Sequence, residues 1–160
     1  MKRILFAIFA ALACLVAATA QSPIAISAKI PESTVLGYQA QQVALKKLQQ
    51  LATINNVGSQ ADEARFWLTP QVSIVESNIT STAPPRQLVK LSIVLMITDT
   101  VGSKNIVAQV ELSAKGVGES EEKATINALQ QVDIRSAALK RFMEQGKKKI
   151  AALEAVKAEN

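Results

Sequence analysis

The stretch Glu111–Ala124, ELSAKGVGESEEKA, constrains the fold most, because it runs a strand directly into a helix. Val110, Leu112 and Ala114 alternate with Glu111, Ser113 and Lys115, the period-two pattern of a strand with one buried face. Gly116 and Gly118 then admit backbone angles that a β-carbon would forbid, which predicts a turn. Ser120 is the expected N-cap of the next helix, its hydroxyl placed to accept a backbone N–H from the first turn. Glu119, Glu121 and Glu122 put negative charge where the helix dipole is positive. Glycines before a helix can also cradle phosphate, but a dinucleotide loop needs a further glycine where Glu121 stands. No Gly-Lys-Ser/Thr follows, and the clustered carboxylates would repel an anion. Gly116, Gly118 and Ser120 are therefore assigned a structural role as turn and cap.

The other elements follow from periodicity. Ile24, Ile26, Ala28 and Ile30 alternate in a first strand, Ile24–Ile30, and Pro31–Thr34 opens a helix with Ser33 as the expected N-cap. From Val35 to Ile54 the apolar residues Leu36, Ala40, Val43, Ala44, Leu48 and Leu51 recur at helical spacing, with glutamines and lysines on the other face. Asn55–Ser59 ends this helix and Ala61–Ala64 is an acidic linker. Arg65–Ser77 alternates as a strand, and Pro70 predicts an edge strand or a bulge there. Trp67 falls on its polar face, either packed under a neighbouring helix or exposed as an aromatic anchor for a partner.

Leu88–Thr98 is apolar on both faces across Ile93–Ile97, as expected of a central strand covered on both sides or facing another subunit. Asp99–Ser103 reads as a hairpin turn, and Ile106–Lys115 returns as the last strand. A short helix carries Ala124, Ala128, Leu129 and Val132, Asp133–Ser136 re-caps, and a final helix carries Leu139, Phe142, Met143, Ile150 and Leu153. Lys147, Lys148 and Lys149 sit late in it, as a solvated face or as a grip on an anionic surface such as a membrane periphery. Gly146 within the apolar stripe implies close backbone packing, and residues 154–160 are expected to fray.

Met1–Ala20 reads as a signal peptide: Lys2 and Arg3 precede the apolar Ile4–Val16, and Ala18-Thr19-Ala20 provides a cleavage site after Ala20. Ala11-Leu12-Ala13-Cys14 makes a poor lipobox, its leucine one place too late, so Cys14 is read as an ordinary residue of the removed segment rather than a lipidated one. Residues 21–160 then form one domain, long enough for a core of its own and without a transmembrane span. Of 18 basic and 13 acidic residues, cleavage removes Lys2 and Arg3, leaving 16 against 13, a balance that does not point to nucleic acid. Beyond Ala20 there is no cysteine and no histidine, so thiol nucleophiles, serine–histidine triads and the usual zinc sites lack raw material. No calcium loop is present either, and no cofactor is expected.

The motif KGVGESEEKATINAL (Lys115–Leu129), with FMEQGKKKI (Phe142–Ile150), resembles small exported Bacteroidetes-type proteins of unknown function. More loosely, the element order resembles the periplasmic α/β domain of curli-export lipoproteins and the TolB N-terminal domain. That resemblance implies an envelope assembly module that self-associates or docks on partners. This chain departs from the curli-type pattern in having no cysteine just after the signal.

The expectation is thus an α+β fold: a mainly antiparallel four-stranded sheet in the order β-α-β-β-β-α-α, with amphipathic helices packed on it. The expected role is a non-enzymatic, periplasmic or secreted interaction module that meets a protein partner or itself. The alternative is a periplasmic binder of a small apolar ligand or lipid, held between the helices and Leu88–Ile97. Trp67, Lys147, Lys148 and Lys149 are the candidate contact residues.

Overall fold

The computed structural model describes residues 24–59, 64–102 and 104–159. The expected signal peptide, its cleavage site, Cys14 and most of the acidic linker lie outside the described residues. Along the chain run β1 (Ile26–Ala28), α1 (Tyr38–Ile54), β2 (Gly58–Ser59), β3 (Phe66–Ile79), β4 (Gln87–Asp99), β5 (Ile106–Gly118), α2 (Glu121–Gln131) and α3 (Ala137–Ala158).

The strands form one sheet in the order β2-β1-β3-β4-β5. The β3–β4–β5 meander is antiparallel, whereas β1 is parallel to both β2 and β3. The α+β expectation holds, but the sheet is mixed and has five strands rather than four. β2 escaped the sequence reading because a two-residue strand contributes no alternation. Helix α1 makes the parallel return from β1 possible, since parallel neighbours need a crossover.

The alternation predicted for β3 and β4 is observed. Phe66, Leu68, Pro70 and Val72 are buried on one face, as are Val89, Leu91, Ile93, Leu95 and Ile97. Onto this face α1 lays Ala40, Ala44, Leu48, Leu51 and Ala52, α2 lays Ala124, Ala128 and Leu129, and α3 lays Leu139, Phe142, Met143 and Ile150. The core is aliphatic with Phe66 and Phe142 added, and each large side chain withdrawn from water there contributes about 1.5–3 kcal/mol.

Helix boundaries differ from the expectation in two places. Ser33 does not cap α1: the helix begins at Tyr38 after Gly37, which provides no side-chain cap. Pro31–Thr34 is instead a turn, closed by the Thr34 N–H on the Pro31 carbonyl at 3.2 Å, and Leu36 anchors the run-in by burying its side chain. At the other end α3 runs through Ala158, so the lysine triplet lies mid-helix rather than late in it. The re-cap between α2 and α3 is observed, with the Ser136 hydroxyl accepting from the Leu139 N–H.

Pro70 lies in an interior strand, not in the edge strand anticipated. β1 pairs only with Phe66, Trp67 and Leu68, so β3 has no neighbour on that side by the time it reaches Pro70. The missing N–H therefore removes no ladder bond. The bulge sits further along, between Ile74 and Glu76.

Candidate functional site

The three described helices lie on one side of the sheet, and no described helix covers the other side. The register of β3, β4 and β5 sets that uncovered face in rows: Trp67, Thr98 and Ile106; Thr69, Met96 and Gln109; Gln71, Val94 and Glu111; Ser73, Ser92 and Ser113; Glu76, Lys90 and Lys115. The β4 members are half-buried between their neighbours, and most of the β5 members are exposed. The apolar double face expected of β4 is therefore present, but only one side is covered. Val94 and Met96 sit on the open side among hydroxyls and amides.

Trp67 belongs to this open face. It packs under no described helix and is only half exposed, lying in register between Ser27 of β1 and Thr98 of β4. The Lys29 ammonium stands 6.0 Å from its ring centroid, at the outer limit of a cation–π contact. Its indole Nε1 is buried and makes no hydrogen bond. Lys147, Lys148 and Lys149 lie on α3, in the helix layer on the opposite side of the sheet, so the structure does not bring them together with Trp67. Lys147 is half-buried and the other two are exposed.

Gly116 and Gly118 stand within β5 rather than in a turn after it, and neither has a positive φ. What they share is closeness to α2. A Cβ on Gly116 would lie 2.0 Å from the Ala124 carbonyl oxygen and 2.4 Å from the Ala128 nitrogen. One on Gly118 would lie 2.5 Å from the Ala124 nitrogen. The glycines thus form a floor on which the helix backbone rests. Ser120 follows as N-cap, accepting from the Lys123 N–H at 3.2 Å, and Glu119 pairs with Lys123 one turn on. The hydrogen bond from Lys123 holds the exposed Glu119 carboxyl below its ordinary range. At the other end of α2, Lys47 of α1 donates to the carbonyls of Gln130 and Val132, both at 2.9 Å. That cation complements the negative end of the helix dipole.

The ionic contact that sequence reasoning missed lies at the end of β4. Asp99, expected only as a turn residue, is buried and takes a two-pronged contact from Arg65, Nε to Oδ1 at 2.9 Å and Nη2 to Oδ2 at 2.6 Å. The Val101 N–H donates to the same carboxylate at 3.0 Å. The Arg65 hydrogen bond, aided by that N–H and opposed by burial, holds the Asp99 carboxyl below its ordinary value, and Arg65 is raised in turn. A carboxylate locked in this way is a structural tie rather than a free acid or base. Among the described residues no group of three or more His, Cys, Asp or Glu side chains could hold a metal ion.

Grooves of different size and lining flank the helices. The seam between α1, α2 and the sheet, lined by Leu48, Val72, Ile93, Leu95, Leu129 and Leu139, has a volume of about 30 Å³. That is room for about one water molecule. The groove beside β1 and β2 is larger, about 680 Å³, open, and of mixed lining, with Lys46, Gln49, Gln50 and Arg135 beside Ile26, Ile54 and Ile134. No described helix is long and apolar enough to cross a membrane.

Family models and curated proteins give no match to this sequence. Among solved structures the chain is similar to a minor lipoprotein from Acinetobacter baumannii, at 15% identity and a TM-score of 0.42 over 82% of this chain and 95% of that one. A protein described as a lipoprotein from Caulobacter crescentus gives 15% and 0.40, over 82% and 91%. PelC from Paraburkholderia phytofirmans, determined as a dodecamer, gives 15% and 0.33, over 81% and 84%. Similarity at this level is too slight to carry an argument about role.

Proposed function

We propose that the chain is an exported, non-enzymatic interaction module of the bacterial cell envelope, periplasmic or at the cell surface, that works through protein–protein contacts. The observation that carries this reading is the one-sided helix layer. It leaves a sheet face on which Trp67, Val94 and Met96 are set among Thr69, Gln71, Ser73 and Ser92. Such a surface, apolar at the centre and polar around it, has the composition of a contact patch. The export half of the proposal rests on the n-region, apolar core and small-residue site of Met1–Ala20. The non-enzymatic half is supported by the lack of histidine and cysteine beyond Ala20 and by the tie that holds Asp99. Binding of a lipid between helices and sheet is the weaker reading, because the seam has room for little more than a water.

Site-specific photo-crosslinking in the producing cell tests the proposal. A crosslinker at Met96 or Thr69 is expected to yield a defined protein adduct, and one at Gln49 on α1 none. Adducts from Gln49 alone would reject the sheet face as the contact surface. Turnover of any substrate by the purified protein, abolished by neutralising one acid without unfolding, would reject the non-enzymatic role.

A further inference from the structure

The two borders of the sheet are built differently. On the β1 side, pairing with β3 stops at Leu68, and β3 then carries Pro70 and the bulge before Glu76. Both features discourage strand addition. On the other side β5 forms the border, 13 residues long, free of proline, and regular from Ala108 onward, past a single register shift at Val107. The Asp99 N–H bonds the Asn105 carbonyl, so odd-numbered positions of β4 turn their backbone groups towards β5. By the register, even-numbered positions of β5 then face β4, and Gln109, Glu111, Ser113, Lys115 and Val117 turn N–H and C=O outward. One of these groups is already taken: Asn127 Nδ2 donates to the Val117 carbonyl at 2.8 Å.

The charges along this border complement themselves. If β5 pairs antiparallel with its own copy about Ser113, Glu111 faces the partner's Lys115, and Gln109 faces the partner's Val117. At Glu111, Ser113 and Lys115 the outward backbone groups meet as hydrogen-bonded pairs, whereas at the Gln109 end the Val117 carbonyl is already engaged by Asn127. The structure also shows why Lys115 wants an acid beside it. Across the ladder it stands opposite Lys90, a like-charged cross-strand pair. Lys90 has Glu76 across from it on β3, whereas Lys115, on the border strand, has no acid opposite it among the described residues, and neither lysine makes a salt bridge there. Such a pair is unfavourable on its own, and a carboxylate on the outer flank of Lys115 offsets it.

We propose that β5 is a homodimer edge: a second copy of this chain adds its β5 antiparallel about a two-fold axis at Ser113, joining two sheets into one. This deepens the interaction-module reading and rests on it, naming the partner as the chain itself.

The test is the mass of the purified protein by light scattering, with five variants. The unaltered chain is expected to run as a dimer. Glu111→Lys and Lys115→Glu each turn both symmetry-related pairs repulsive and are expected to weaken dimerisation about tenfold or more. The double exchange restores it. Ser113→Cys is expected to give a disulfide-linked dimer, because only a residue on the axis meets itself, whereas Gln109→Cys is not. Circular dichroism checks that each variant folds. A monomer for the unaltered chain overturns the inference while leaving docking on a different protein intact. So does a dimer indifferent to both charge reversals and without the Ser113→Cys link, which would place self-association elsewhere. Failure of the interaction-module reading itself would appear separately, as absence of any crosslinked adduct from the open face.

Discussion

Replacing Gly116 by alanine tests the tightest of the glycine sites. The added methyl would stand 2.0 Å from the Ala124 oxygen, 2.4 Å from the Ala128 nitrogen and 2.9 Å from the Ala128 Cα. All three are backbone atoms of α2, so no side chain can rotate away. Relief to the 3.4 Å of ordinary contact requires the helix to retreat by more than an ångström, lifting Ala124, Ala128 and Leu129 from the sheet. Overpacking against flexible groups costs about 1–3 kcal/mol, and a rigid wall belongs at or above the top of that range. The expected loss is roughly 3 kcal/mol or more, which for a domain of this size lowers Tm by about 10 °C. Gly146→Ala is the internal control. Its methyl crowds only the Cδ1 end of Ile97, at 2.5 Å, with Ala108 Cβ and Ile97 Cγ1 at an ordinary 3.9 Å, and the roughly 1 kcal/mol of helix propensity gained offsets that contact. Thermal unfolding followed by circular dichroism, with urea titration to check that the m-value is unchanged, measures both. A Gly116→Ala variant melting within about 3 °C of the unaltered protein would show that α2 does not rest on that glycine.

Asp99→Asn removes the charge that Arg65 grips, and should cost about 1–3 kcal/mol at neutral pH. Because the folded Asp99 carboxyl is held below its unfolded value, its stabilisation is complete above the unfolded value near pH 4. It is lost as pH falls through the folded value, so the unaltered and variant proteins should converge in stability in strong acid. A gap that persists in acid would assign the effect to packing. Ser120→Ala should cost about 1 kcal/mol in urea unfolding, and Ser136→Ala less, since its cap bond is long at 3.4 Å. Lys47→Met, which keeps the stem but removes both bonds to the end of α2, should cost about 1–2 kcal/mol, read the same way.

Much of the fold was legible because its burial is periodic. The alternation along Phe66–Val72 and Val89–Ile97 and the three-and-four spacing of Ala40, Ala44, Leu48 and Leu51 mark faces, and faces are what the core selects. What periodicity cannot convey is which neighbour a strand takes. β1 is three residues and β2 two, so their parallel pairing is decided by the path of α1 and leaves no local pattern. Gly116 and Gly118 were legible as special positions, but the reason is a helix backbone overhead rather than a left-handed turn. Both causes select glycine, and only coordinates separate them. Ser33 has the right chemistry for a cap, yet Leu36 is drawn into the core and the helix starts later. As for the candidate site, alternation placed Trp67 on the polar face of its strand, and nothing local told whether a helix would cover that face. The pairing of Arg65 with Asp99 joins residues 34 apart in sequence, beyond the reach of any local signal.

The slender β1 ladder also bears on how the molecule opens. The segment from β1 through β2 holds to the meander by three paired residues of β3, by the packing of α1, and by Lys47 reaching the end of α2. The β3–β4 and β4–β5 ladders run for most of their strands' length. Amide exchange should therefore be graded, with β4 protected longest and the β1–α1–β2 segment released first as a unit. Each such release would bare the flank of β3 at Phe66 and Leu68, where strand addition is otherwise discouraged.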